Sequence, residues 1–137
     1  MKVLAFTDGA SRNNPGEAGI GIVLKDESGV TVAEIKKYLG IMTNNAAEYT
    51  ALIRCLEFVI ASTSLRCSSL VVHTDSELMA RQVEGRYKVK DAGLKILHAH
   101  VKNLLNSAQF EFSIRHIPRS LNTEADELAN QAIDSKV

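Results

Sequence analysis

The chain has 137 residues, 45% hydrophobic and 23% charged, and its 16 basic and 16 acidic residues cancel. This length and composition are typical of one globular domain with a proper core, and the neutral balance argues against a protein that coats DNA non-specifically. No apolar run approaches the ~20 residues of a membrane helix and the N-terminus lacks the layout of a signal peptide, so we expect a cytoplasmic protein without membrane contact.

The first part of the chain predicts three strands joined by short turns. The apolar runs that predict them cover residues 3–7, 18–25 and 30–39. The sequence DESG at 26–29 is a hairpin turn signal, so these strands are expected to be antiparallel. Gly19 and Gly21 alternate with isoleucines in the second strand, which indicates close approach by another backbone or a ligand.

The remainder of the chain alternates helices with strands. Apolar residues at helical spacing predict helices over 45–61, 76–83, 94–105 and 124–133, with strands at 70–72 and 110–114 between them. Strands separated by helices join a sheet in parallel through right-handed crossovers. The predicted fold class is therefore α/β: a five-stranded mixed sheet, with three antiparallel strands followed by two parallel ones, flanked by helices.

Four acidic residues occupy strand ends or helix starts, and three of them have a purely structural alternative. Asn45 with Glu48 matches a capping box at the start of the long helix. Asp75 and Asp126 lie where an acid stabilises the positive end of a helix. Asp8 has no such alternative, because glycine and an expected loop follow it.

These four acids acquire a second interpretation when they are considered together. In an α/β sheet, strand ends and helix starts meet at the ligand-binding edge, so the four carboxylates can converge there. Such a cluster is costly without cations, and its hard oxygen ligands suit Mg²⁺ or Mn²⁺. Two such ions about 4 Å apart can activate water and stabilise the leaving oxygen of a phosphodiester. Spacing alone leaves both interpretations open.

Four sequence blocks resemble, in order, the motif blocks of type 1 ribonuclease H. They read TDGASRNNPGEAGIG, TNNAAEYTAL, HTDSELMARQVEG and HIPRSLNTEADELAN, and the resemblance extends from about residue 3 to 134. It implies a ribonuclease H-like fold over a single catalytic domain at 1–137. It also implies cleavage of the RNA strand of RNA–DNA hybrids by two Mg²⁺ or Mn²⁺ ions, giving 5′-phosphate and 3′-hydroxyl ends. We expect the chain to act as a monomer.

The resemblance also assigns roles to individual residues. The metal-binding and catalytic acids of the family match Asp8, Glu48, Asp75 and Asp126, and its mobile histidine matches His116. Its hybrid-contacting asparagines match Asn14, Asn44 and Asn45, a DNA-phosphate contact matches Thr43, and an asparagine beside the histidine loop matches Asn122. Amide groups of this kind can bond the 2′-hydroxyl that distinguishes RNA from DNA.

The chain departs from many bacterial relatives, because it lacks their basic, tryptophan-containing protrusion and has no Trp at all. Six basic residues against two acidic ones between 81 and 102 give a local positive excess. We therefore expect a substitute DNA-strand contact at Arg86, Tyr87, Lys88 and Lys90.

The alternatives to a ribonuclease H that is specific for hybrids are a nuclease with broader substrates that include double-stranded RNA, other nuclease chemistry on this fold, or a non-catalytic nucleic-acid-binding module.

Overall fold

The computed structural model describes residues 1–137 and contains one five-stranded mixed sheet. The strands are β1 (Lys2–Arg12), β2 (Gly16–Lys25), β3 (Thr31–Met42), β4 (Ser69–Thr74) and β5 (Glu111–His116). They lie in the order β3-β2-β1-β4-β5. The first three pair in antiparallel fashion, whereas β4 and β5 add in parallel beside β1. The predicted fold class is confirmed.

Four helices flank the sheet, and two single 3₁₀ turns connect them to it. The helices are α1 (Asn44–Ala61), α2 (Glu77–Val83), α3 (Ala92–Ser107) and α4 (Thr123–Ser135), and the 3₁₀ turns are Thr63–Leu65 and Arg119–Leu121. Helix α1 packs on β1 and β2 over the apolar core, α3 packs against α1, and α4 packs mainly on β2. None of the helices has the length and apolar character needed to cross a membrane.

The start of α1 differs from the prediction. Thr43 is extended and its hydroxyl accepts from the Ala46 N–H, so Thr43 is the N-cap. Asn45 already lies in the first turn, so the capping box of Asn45 and Glu48, which was the structural alternative for Glu48, is not formed. A capping-box glutamate follows its N-cap by three residues, whereas Glu48 is five residues beyond Thr43. The Glu48 side chain is therefore free for another role.

Strand β1 is longer than predicted and changes its neighbours along its length. Its parallel pairing with β4 ends at Thr7 and Thr74, whereas its antiparallel pairing with β2 continues to Arg12. Asp8 therefore lies inside a strand and not at its end, because the hairpin ladder continues past the glycine. It stands at the first position of β1 that has lost β4 as a neighbour, where its side chain has room for partners.

The glycines of β2 are covered by helix α4. A β-carbon at Gly21 would lie 2.1 Å from the Ala125 carbonyl oxygen, and one at Gly19 would lie 2.7 Å from that of Ala129. The close approach predicted at these glycines exists, but it is made by the α4 backbone, which leaves no space there for a ligand. This contact brings the first turn of α4, and with it Asp126, against the sheet.

Candidate active site

Three acidic side chains meet at the end of the sheet where β1 and β4 part. Asp8 comes from β1, Glu48 from the second turn of α1 and Asp75 from the residue after β4, and one carboxylate oxygen of each lies within 4.8 Å of the others. Asp8 and Glu48 are each only 3% exposed. Asp126, in the first turn of α4, is near enough to Asp8 to raise the pKa of the Asp8 carboxyl group. The structure thus brings together the four acids that the sequence singled out.

Glycine at position 9 allows helix α1 to enter this cluster. A β-carbon there would lie 2.3 Å from the Ala47 carbonyl carbon and 2.4 Å from the Glu48 nitrogen. In the resulting contact the Gly9 N–H donates to the Glu48 carboxylate. The orientation of Glu48 is therefore fixed by the backbone of the strand that carries Asp8.

Burial and mutual repulsion disfavour negative charge on the acids of this cluster. Burial, followed by repulsion from Asp75 and Asp126, raises the pKa of Asp8 to about 8, although the Arg119 cation opposes the shift. Burial, followed by Asp8 and Asp75, also raises the pKa of Glu48 well above its usual value. Without a cation the site retains protons at neutral pH, and a divalent cation would replace them.

One carboxylate oxygen in the cluster has no protein partner. Oδ2 of Asp75 is buried and accepts no hydrogen bond. The nearest cation is Nε of Arg119, at 4.0 Å, which is beyond hydrogen-bonding distance. An orphaned carboxylate oxygen beside two buried acids is suited to a hard divalent cation, so the donor set fits Mg²⁺ or Mn²⁺.

A polar cavity of about 290 Å³ opens onto these acids, and no hydrophobic residue lines it. Its remaining lining residues are Gly9, Asn44, Ser76 and Arg119. Arg119, whose side chain is 82% exposed at the rim, was not predicted as a site residue. The 3₁₀ turn that presents Arg119 was not predicted. Its place shortly after β5, which ends at the same edge of the sheet as β4, could have indicated that Arg119 lies near the acids.

The asparagines assigned to the substrate lie around the start of α1. Oδ1 of Asn14 accepts from the Asn44 N–H at 2.9 Å, so Asn14 ties the β1–β2 turn to the helix. Asn44 lines the acidic cavity, whereas Asn45 faces the neighbouring groove. The hydroxyl oxygen of Thr43 accepts the hydrogen bond that caps α1, and its hydroxyl proton stays available to donate to another group.

The four residues expected to form the substitute DNA contact line one surface groove. Together with Asn45, Arg86, Tyr87, Lys88 and Lys90 surround a groove of about 640 Å³, which Leu78, Gln82, Asp91 and Leu94 complete. They lie on the irregular segment between α2 and α3. This groove, named here the basic groove, adjoins the acidic cavity through the first turn of α1.

His116 is placed outside the acidic cavity. It is the last residue of β5, it pairs with Thr74 in register, and its side chain is exposed. Asn122 is 1% exposed and its Nδ2 donates to the Thr7 carbonyl at 2.9 Å. Asn122 therefore anchors the start of α4 to β1, one residue before Asp8.

Comparison with known proteins relates these features to one family. The family model described as Reverse transcriptase-like matches residues 6–132. A structure of LC11-RNase H1 in complex with RNA/DNA hybrid superposes with a TM-score of 0.93 at 44% identity, covering 98% of both chains. The chain belongs to the ribonuclease H family.

Ribonuclease H relatives of greater length also match. Ribonuclease HI of Halobacterium salinarum is 40% identical over 97% of this chain, which spans 65% of that relative. The Mycobacterium tuberculosis protein named Bifunctional protein Rv2228c is 41% identical over 98% of this chain, which spans 36% of it. The resemblance to ribonuclease H inferred from the four motif blocks, and the ribonuclease H-like fold, are confirmed.

Proposed function

We propose that this ribonuclease H-family chain is an endonuclease that hydrolyses the RNA strand of RNA–DNA hybrids in a metal-dependent reaction, leaving 5′-phosphate and 3′-hydroxyl ends. The observation that carries the proposal is the buried acidic cluster with its orphaned Asp75 oxygen. The similarity to a protein whose structure contains an RNA/DNA hybrid supports the substrate.

The acids divide into two groups around Asp8. Asp8, Glu48 and Asp75 would hold one divalent ion, and Asp8 with Asp126 a second. When bound, such ions activate a water molecule and stabilise the leaving oxygen of the phosphodiester. Gly9 contributes by holding the Glu48 carboxylate in place through its N–H, so this ligand needs no reorganisation when substrate arrives.

The polar residues around the cavity would bind the RNA strand. Asn44 lines the cavity and is positioned by Asn14, so its amide is available to a sugar 2′-hydroxyl. Arg119 at the rim would offer its cation to a phosphate, since its contact with Asp75, at 4.0 Å, is an ion pair without a hydrogen bond. His116, exposed at the end of β5, would move a proton to or from the departing product.

The basic groove would bind the DNA strand. Arg86, Lys88 and Lys90 supply cations for phosphates, and Tyr87 supplies a ring for sugar or base contact. Because Asn45 belongs to both the groove and the first turn of α1, the two strands of one duplex can contact adjacent surfaces. We propose that the chain does this as a monomer.

A substrate panel tests the function directly. Labelled RNA–DNA hybrid, double-stranded RNA and duplex DNA are offered to the protein with Mg²⁺, Mn²⁺ or EDTA, and the D8N variant serves as control. We expect cleavage of the RNA strand of the hybrid, dependent on the metal and lost in D8N. Cleavage of duplex DNA, or hybrid binding without any cleavage, would contradict the proposal, whereas cleavage of double-stranded RNA would widen the substrate range.

A further inference from the structure

One buried amide connects the basic groove to the helix that carries Glu48. Gln82, in the last turn of α2, is 4% exposed. Its Oε1 accepts from the Tyr49 hydroxyl at 2.6 Å, and its Nε2 donates to the Lys88 carbonyl at 3.3 Å. Tyr49 directly follows Glu48 in α1, and Lys88 lies in the middle of the basic segment.

The chemistry of the partners fixes the orientation of this amide. A backbone carbonyl can only accept a hydrogen bond, so the amide nitrogen of Gln82 must face Lys88. The oxygen then faces Tyr49, which must donate. Each end of the Gln82 side chain therefore has one matched partner.

The segment that Gln82 contacts has few other restraints. Gly85, at a positive φ of 82°, leads the chain out of α2, and the N–H groups of Arg86 and Tyr87 both donate to the Arg81 carbonyl. For residues 88–90, the bond from Gln82 is the one hydrogen bond in the structure. Val89 adds an apolar contact with the core. The backbone of Lys88 is thus placed by a side chain of the buried network.

The neighbouring helix reinforces the position of Gln82 itself. A ring nitrogen of His98 in α3 contacts the Gln82 carbonyl at 3.1 Å, and Nζ of Lys102 donates to the Val83 carbonyl at 2.8 Å. These contacts fix the end of α2 against α3 while Tyr49 fixes it against α1. Gln82 is therefore a fixed point from which the basic segment, which has few hydrogen bonds of its own, can be held.

We propose that Gln82 is a positioning residue for substrate: it holds the Lys88 backbone so that the cations of the basic groove stand at a defined distance from the acidic cavity. The inference rests on the proposed function, because it assigns the groove to the second strand of the duplex. Without this bond the groove cations lose their common placement, and hybrid binding weakens while the acids remain intact.

The test compares Q82M with Y49F as its matched control. Q82M keeps the volume but removes both hydrogen bonds, whereas Y49F removes only the bond to Tyr49 and retains the donor to Lys88. Hybrid affinity is measured by fluorescence anisotropy in EDTA, and KM and kcat are measured with Mg²⁺. We expect Q82M to weaken affinity and raise KM by about 2- to 10-fold, the value of one net hydrogen bond, with kcat unchanged.

The control separates positioning from simple stabilisation. Y49F lowers the melting temperature as Q82M does, yet its affinity and KM are expected to stay close to wild type. Equal KM values in all three proteins would overturn the inference, and so would equal increases in both variants. Failure of the proposed function is recognised separately, because then the wild-type protein would not cleave the hybrid.

A second variant decides the matter if Q82M does not fold. Q82E keeps the shape and the acceptor for Tyr49, but an ionised carboxylate cannot donate to the Lys88 carbonyl. At pH 9 and high salt, where the repulsion between the added charge and the phosphates is screened, we expect its hybrid affinity in EDTA to fall by the same factor relative to wild type. Wild-type affinity of Q82E at that pH would overturn the inference.

Discussion

The backbone N–H of Gly9 donates to the carboxylate of Glu48, so the strand that carries one buried acid also holds the next. The contact requires the missing side chain at Gly9, because a β-carbon there would lie 2.4 Å from the Glu48 nitrogen. The position of α1 relative to β1, and hence the spacing of the two acids, depends on this glycine.

The G9A variant tests that dependence. The added methyl group must displace the first turns of α1, since its neighbours are backbone atoms that cannot rotate away. We expect a loss of about 1–3 kcal/mol in the free energy of unfolding and a fall in kcat. The control is G93A, where the nearest atom is a side-chain oxygen of Asp91 at 3.2 Å and little change is expected. Urea denaturation and hybrid cleavage assays give both readouts, and G9A with the stability and kcat of G93A would contradict the prediction.

The D8N variant separates catalysis from binding. Asp8 lies at the centre of the acidic cluster, and an amide in its place cannot supply a charged oxygen to a cation on either side. We expect kcat to fall by at least about 10³-fold, while hybrid affinity in EDTA stays within a few-fold of wild type because the groove is untouched. Turnover close to wild type would contradict the assignment of Asp8 as the central metal ligand.

In the absence of metal, D8N and the wild-type protein should differ in how their stability depends on pH. Because the pKa of Asp8 is about 8 in the folded protein and 3.8 ordinarily, the folded state holds a proton that the unfolded chain has lost between these values. Stability of the wild-type protein therefore falls as pH rises from 4 to 8, and D8N lacks this loss. In EDTA we expect D8N to be the more stable protein at pH 8, by at most about 5 kcal/mol, and the difference to vanish near pH 4.

Adding metal should stabilise the wild-type protein more than D8N. A cation that binds the folded wild-type cluster stabilises it by mass action, and D8N, which lacks the central ligand, gains less. Thermal melting at pH 8 with and without Mg²⁺ or Mn²⁺ measures the effect. Identical shifts in the two proteins would show that the ions bind elsewhere.

The R119Q variant tests the rim cation. Arg119 is 82% exposed and makes no hydrogen bond to Asp75, so its loss should lower the melting temperature only slightly. If it contacts a phosphate of the substrate, hybrid cleavage falls by roughly 10-fold or more. The control is R115Q, whose arginine is exposed on β5 and does not line the cavity. Equal activity of the two variants would exclude a role for Arg119.

Neutralising the basic groove tests the DNA-strand contact. The triple variant R86Q/K88Q/K90Q removes three cations from one groove, whereas K2Q/K37Q removes exposed cations elsewhere. We expect the first to raise KM and to reduce the salt dependence of hybrid binding, since fewer counterions are released on association. An unchanged salt slope in the triple variant would remove the groove from the substrate-binding surface.

The parts of the fold and site that were predictable depend on local patterns. Apolar runs and helical spacing located every strand and α-helix, and the motif blocks indicated all four acids. The extension of β1 beyond Asp8 could not be foreseen, because it depends on a ladder with β2 that extends to Glu17. The cap at Thr43 was missed because Asn45 is an equally good capping residue in isolation.

Arg119 and Gln82 show the limit of sequence reasoning more sharply. Neither has a distinctive local pattern: one is an arginine in a loop and the other a glutamine in a short helix. Their importance comes from partners 33 to 44 residues away, Tyr49 for Gln82 and Asp75 for Arg119. The assigned roles of His116 and the asparagines, the monomeric state and the cytoplasmic location stay predictions.

The contact between β2 and α4 has a consequence for the spacing of the acids. Gly19 and Gly21 have no side chains, so the helix backbone rests directly on the strand, and this thin layer sets how far Asp126 stands from Asp8. The absence of side chains at these two glycines therefore sets the distance between two carboxylates that are 118 residues apart in the chain. A protein engineer who wished to adjust the separation of the two proposed metal positions would begin at these glycines, without altering a single ligand.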